Sequence, residues 1–182
     1  MSYNKPTITE DKISFGPGVI YLGAAGATPT VDVGAVESAM GIAITRTMMD
    51  LFQGSPRELV KRVCTEEKVE INFTGLEWNL QNVQYALGAG ELSNGDATLE
   101  GGGDMEFDEV ALRFVHQTAA GGTVTVDCWR VSGSGEANIQ FGDEWHKFPM
   151  KFSAQNSTTD WAGAALANKK QMYKVVYEAP PA

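Results

Sequence analysis

Residues 67–74, Glu-Lys-Val-Glu-Ile-Asn-Phe-Thr, alternate polar and apolar without a break. Only an extended strand, whose successive side chains point to opposite faces, turns such a pattern into one dry face and one wet one. Val69, Ile71 and Phe73 are therefore assigned to a core, and Lys68, Glu70 and Asn72 to the opposite face. A chain built round such a strand needs further strands to pair with it and a second layer to cover its apolar side.

The rest of the sequence supplies both. Residues 16–23 read as a short apolar strand between Gly and Pro punctuation, and 31–36 as another extended piece beyond a Thr28-Pro29-Thr30 loop. Over 41–52 the β-branched and apolar residues fit a strand, with Ile42, Ile44 and Met48 on one face and Ala43, Thr45 and Thr47 on the other. Gln53, Gly54, Ser55 and Pro56 break it. Residues 58–64 are extended, Thr65-Glu66 reads as a turn, and the alternating strand follows. Further strands are predicted at 109–116, 122–131, 137–141, 145–154 and 172–177. Pro149 argues for an edge or a bulge in the fourth of these, because proline cannot donate to a ladder. One helix is predicted: Asn79 is an N-cap, Leu80, Val83 and Leu87 recur at helical spacing, and Gly88 can close the end. The stretch 88–104, rich in Gly, Asp and Asn, is a loop or a pair of turns. The fold class is all-β, a sandwich or barrel flanked by one short α-helix.

The length, 182 residues, fits one domain on a scale of roughly 100–200 residues each. Twenty Gly and seven Pro tilt the composition towards turns, as many short strands require. No apolar run has the roughly 20 residues of a membrane span, and none near the start serves as a signal-peptide core, so a cytoplasmic site of synthesis and no membrane partner are expected. Cys64 and Cys128 are not in a CxxC pair and read as reduced, packed thiols.

The formal net charge is −9, with no basic run to offset it. Tight nucleic-acid binding needs a cationic footprint that displaces counterions, so it is disfavoured. The catalytic inventory is short. His116 and His146 both fall in predicted strands, and there is no G-x-S-x-G, phosphate loop, H-E-x-x-H or dinucleotide fingerprint. Gly133-Ser134-Gly135 reads as an ordinary turn. Residues 101–109 carry Asp104, Glu106, Asp108 and Glu109, but without the spacing of a calcium loop they read as a solvated turn rather than a metal site. Trp78, Trp129, Trp145 and Trp161 are candidates for a sugar-stacking platform. Scattered over different elements, they read more simply as core and interface aromatics. No cofactor, metal or catalytic residue is predicted, and the chain is not expected to be an enzyme.

The order of pieces over 16–90 resembles that of phage major tail tube proteins. The pieces are Gly18-Val19-Ile20-Tyr21; Thr28-Pro29-Thr30 leading to Gly34-Ala35-Val36-Glu37; Gly41-Ile42-Ala43-Ile44-Thr45; Val69-Glu70-Ile71-Asn72-Phe73-Thr74; and Glu77-Trp78-Asn79-Leu80-Gln81-Asn82-Val83 leading to Ala86-Leu87-Gly88. The second half agrees in type. The resemblance implies a β-sandwich that closes into hexameric rings, which stack into a virion tail assembled in the host cytoplasm. It implies as partners further copies of the chain, a tape-measure protein, a tail terminator and baseplate or tail-tip proteins, with genomic DNA passing through the lumen without tight binding. Tube proteins of contractile injection and type VI systems share that architecture, and a carbohydrate-binding β-sandwich module is the alternative from another class.

Within that expectation the single domain carries three appendages: an N-terminal arm (1–15), a hairpin arm (51–64) and a C-terminal tail (178–182). The hairpin arm is too long for a tight turn and would need another subunit to order it. Its assembly candidates are Gln53, Gly54, Ser55, Pro56, Arg57, Lys61 and Arg62, the basic members complementing acidic neighbours. The candidates for an anionic channel lining are Thr45, Thr47, Lys68, Glu70 and Asn72.

Overall fold

Ten strands and one helix form from the described residues, which in the computed structural model of the protein are 16, 18–37, 40–103, 106–134, 147–167 and 171–181. The strands are β1 (Val19–Ala24), β2 (Val31–Asp32), β3 (Gly41–Gln53), β4 (Glu58–Gly75), β5 (Glu91–Ser93), β6 (Thr98–Glu100), β7 (Glu109–Gln117), β8 (Thr123–Gly133), β9 (Phe148–Ala154) and β10 (Lys174–Glu178); the helix α1 (Leu80–Leu87) follows β4. Every pairing between them is antiparallel.

One sheet runs in the order β2-β1-β7-β8-β9-β4-β3, and β5 and β6 make a separate hairpin. β8 is a fork. One of its edges takes β7; the other takes β10 along Thr123 to Asp127 and β9 along Val131 to Gly133. The sheet then bends back on itself, because Ile20 and Leu22 of β1 share one buried cluster with Leu112 of β7, Ile71 and Phe73 of β4 and Met150 and Phe152 of β9. Phe73 and Phe152 stack with ring centroids 5.7 Å apart. This is the expected all-β sandwich or barrel with one helix. Val69, Ile71 and Phe73 are buried while Lys68 and Asn72 are exposed and Glu70 is half-buried, as the alternation requires.

The helix also matches its sequence signals. Asn79 Oδ1 accepts from the N–H groups of Gln81 (2.9 Å) and Asn82 (3.4 Å), and Gly88 ends α1 at φ 67° with its N–H on the Gln84 carbonyl. The buried face is Asn82, Val83 and Ala86, so Leu80 and Leu87 flank the contact rather than centring it. Asn82 Nδ2 donates to the Val33 carbonyl at 2.9 Å and ties α1 to the segment after β2. Gly133 is the end of β8, not an ordinary turn. The backbone of Tyr85 and Ala86 passes so close that a Cβ there would overlap their carbonyl oxygens.

Three further expectations are corrected. Thr65-Glu66 is not a turn, since β4 runs unbroken through it. The register steps from Thr47 opposite Glu66 to Met48 opposite Cys64, leaving Thr65 as the extra residue of a bulge, with its hydroxyl donating to the Thr47 carbonyl at 3.1 Å. The chain reverses instead at residues 54–57. The stretch 88–104 is more than loop, because the β5–β6 hairpin turns there through Asn94, Gly95 and Asp96, all at positive φ. Glu178 lies in β10, opposite Thr123, and so does not belong to a tail. Pro149 sits opposite Thr74 of β4 in a part of β9 beyond the end of the β8 pairing, bordered by one named strand only. The N-terminal arm 1–15 and the strand predicted at 137–141 lie outside the described residues.

Candidate assembly arm and channel face

β3 and β4 are longer than the body they belong to. Every residue from 51 to 66 is exposed, so the two strands leave the core near Glu67 and continue as a two-stranded ribbon. A strand exposed on both faces should be polar on both. This one is not. Met49 and Leu51 lie on the face that continues from Thr45, while Met48 and Phe52 lie on the other, and across the ribbon Val63 stands opposite Met49 and Leu59 opposite Phe52. Met49 is 60% exposed and Leu51 57%. Among the described residues β3 ends the sheet, and its outer edge presents a row of backbone donors and acceptors with no strand to take them.

Two of the arm's three cations, Arg57 and Arg62, are engaged within it. Arg62 forms a two-point bond to Asp50, with Nε and a terminal nitrogen at 2.6 and 2.8 Å from the carboxylate oxygens, which holds Asp50 below the usual carboxylate range. Arg46 pairs with Glu67 at 2.9 Å across the ribbon's root. Arg57 lies over the Phe52 ring, 5.4 Å from its centroid. Gln53 faces Glu58, Lys61 faces Leu51, and Gly54, Ser55, Pro56 and Arg57 make the turn. Beside the exposed Gln53, Glu58 and Lys61, the arm thus offers outward a set of large apolar side chains, Leu51, Phe52, Leu59, Val60 and Val63. A second bulge, where Leu51 faces Lys61 but Phe52 faces Leu59, leaves Val60 over, 56% exposed.

The five channel-face candidates come together at the base of this ribbon. Thr45 stands opposite Lys68, Thr47 opposite Glu66 and Gly41 opposite Asn72; on the other side of β4, Ser153 faces Glu70 and Lys151 faces Asn72. Glu70 Oε1 is 2.7 Å from Lys151 Nζ and 2.9 Å from Lys68 Nζ. These two ammonium groups, Lys151 foremost, hold the Glu70 carboxyl below its ordinary range. The carboxylate expected to give the face its negative charge is therefore bracketed by cations, and the trio is net positive by one. Lys151 was missed in the sequence. Its signal was present, since it alternates with Phe148, Met150 and Phe152, but only the β4–β9 pairing sets it beside Glu70.

The remaining chemistry-bearing residues are dispersed. His116 is buried in β7, and His146 and Trp145 lie outside the described residues. Glu106 and Asp108 line an open groove with Glu91 and Glu100, yet no group of three or more His, Cys, Asp or Glu among the described residues is placed to hold a metal ion. Cys128 is buried, which pushes its thiol up to about 12, whereas Cys64 is exposed on the arm. Trp78 packs edge-on to Phe148 at 4.7 Å; Trp129 and Trp161 border one cavity. No helix among the described residues is long and apolar enough to cross a membrane. Comparison of the chain with protein-family models and with curated proteins finds no match.

Proposed function

We propose that this chain is a structural subunit that polymerises into a tube of stacked rings, the role its sequence resemblance to phage tail tube proteins implies. The observation that carries the reading is the β3–β4 ribbon: an arm apolar on both faces, beside an open sheet edge. A monomer that keeps such an element in water holds apolar surface and backbone groups unmatched. Repeated copies remove both liabilities at once, because edge pairing closes a ring and the arm finds cover on a neighbour. The face of Thr45, Thr47, Lys68, Glu70 and Asn72 is polar and solvated, as a channel wall for passing DNA needs to be. Its Lys–Glu–Lys cluster would be repeated once per subunit, so the acidity of the chain, −9 overall, must act through other surfaces. Hexameric closure, the virion tail as location, and the tape-measure, terminator and tail-tip partners belong to the same proposal.

The test is direct. Purified protein, concentrated and viewed by negative-stain electron microscopy, should show rings or tubes. A variant in which residues 50–62 are replaced by Asn-Gly, a two-residue turn suited to joining Met49 to its cross-strand neighbour Val63, should fold and stay monomeric. Tubes formed equally well by that variant, or a wild-type protein monomeric at every concentration, would overturn the proposal.

A further inference from the structure

The outer face of β7 and β8 is covered by a second flap, unrelated to the arm. The N–H of Ser157 bonds to the Gln171 carbonyl (3.0 Å) and that of Gln171 returns to Ser157 (3.2 Å), closing the base. At the tip Asp160 Oδ1 accepts from the N–H groups of Ala162 (2.9 Å) and Ala164 (2.8 Å). This bonding sets Trp161 against the sheet, its ring 4.6 Å from the Arg113 guanidinium, which makes a two-point bond to the nearly buried Asp127 at 2.8 and 3.0 Å. Between flap and sheet lies a cavity of about 430 Å³ lined by Arg113, Asp127, Trp129, Trp161, Gln171 and Lys174, among others. Small-molecule sites typically occupy roughly 300–1,000 Å³ and combine apolar walls with a few fixed polar groups.

Three features narrow the occupant. Two indoles give the wall an apolar component that suits C–H faces. The cations Arg113 and Lys174 are matched by Asp127 and by Asp160, which also lines the cavity, so the lining favours a neutral ligand over an anion. Carboxylate oxygens beside amide and ammonium donors suit hydroxyl groups, each of which both gives and accepts a hydrogen bond. We propose that this cavity binds a neutral saccharide unit, packed against the Trp129 and Trp161 rings and held by Asp127, Gln171 and Lys174. Two of the four tryptophans that look scattered in the sequence thereby acquire a shared role, and the site needs no assembly to exist.

Saturation-transfer NMR and tryptophan fluorescence on the full chain test it, with the methyl glycosides of glucose, galactose, mannose, N-acetylglucosamine and rhamnose as probes and inorganic phosphate and adenosine as competitors. Saturable contact with at least one glycoside is expected. Trp161→Ala, which removes one of the two indoles of the wall, should weaken it by about tenfold, the scale of one aromatic stacking contact. Lys174→Ala, an exposed position on β10, provides a second variant if Trp161→Ala disturbs the fold. No saturation by any of the five glycosides, saturation by phosphate or adenosine alone, or equal binding by wild type and both variants would overturn the proposal.

Discussion

Glu70 is where a single atom's surroundings change what a residue was expected to do. Read from the alternation alone it is a solvated carboxylate; in the fold its Oε1 serves Lys68 and Lys151 together. Because the folded-state pKa is lowered, the pairing stabilises the protein above the unfolded carboxylate's pKa. That contribution disappears as pH falls through the folded value. Glu70→Gln should therefore lower the melting temperature near neutral pH, and the gap from wild type should close below about pH 4, the ordinary carboxylate range. A gap that persists at pH 2 would rule out the ion pairs as its source. The cysteines give a second reading at this scale. Cys64 should react with a maleimide in the native monomer and Cys128 only after unfolding, since burial both shields that thiol and raises its pKa to about 12. Protection of Cys64 on polymerisation would support the arm as an interface; undiminished labelling in finished tubes would count against it.

Elements whose signals are local were legible in the sequence. α1 announces both of its ends, through a side chain that caps orphan N–H groups and a glycine that takes the left-handed turn. Asn79→Ala should accordingly cost about 1 kcal/mol, measured by denaturant titration. The strand at 67–74 was legible because one face is wet and the other dry. The arm was misread where that contrast vanishes. With both faces exposed, the only cue at Thr65-Glu66 was loss of alternation, which a bulge and a turn share; what separates them is the partner strand, and register is not written in one strand. Gly133 was missed for a similar reason, since the approach of α1 to β8 joins residues nearly fifty positions apart. Gly133→Ala should displace the helix from β8, seen as a large stability loss with α1 amides newly open to exchange, whereas Gly95→Ala at an open turn should act on its own loop alone.

At the scale of the whole molecule, composition and strand count fix the class, but not which strands lie side by side. Neither the β8 fork nor the return of β4 beside β9 follows from any local pattern, and both the Glu70 cluster and the saccharide cavity depend on them. Phe152 lies where the two arms of the sheet meet, fully buried and stacked on Phe73. Phe152→Ala should cost about 3–5 kcal/mol and unfold the body, whereas Leu51→Ser on the arm should leave thermal stability nearly unchanged and lower only the yield of polymer. If the two substitutions destabilised the monomer alike, the division between a self-sufficient body and an arm would be wrong. That division also has a kinetic side, and β8 sets it. With β7 on one edge, β9 and β10 sharing the other, and α1 against its end, β8 cannot be released without dismantling nearly every neighbour. Its central amides should be the last in the chain to trade hydrogen for deuterium, on the timescale of global unfolding, while the ribbon beyond Glu67 opens and closes many times over in the same interval.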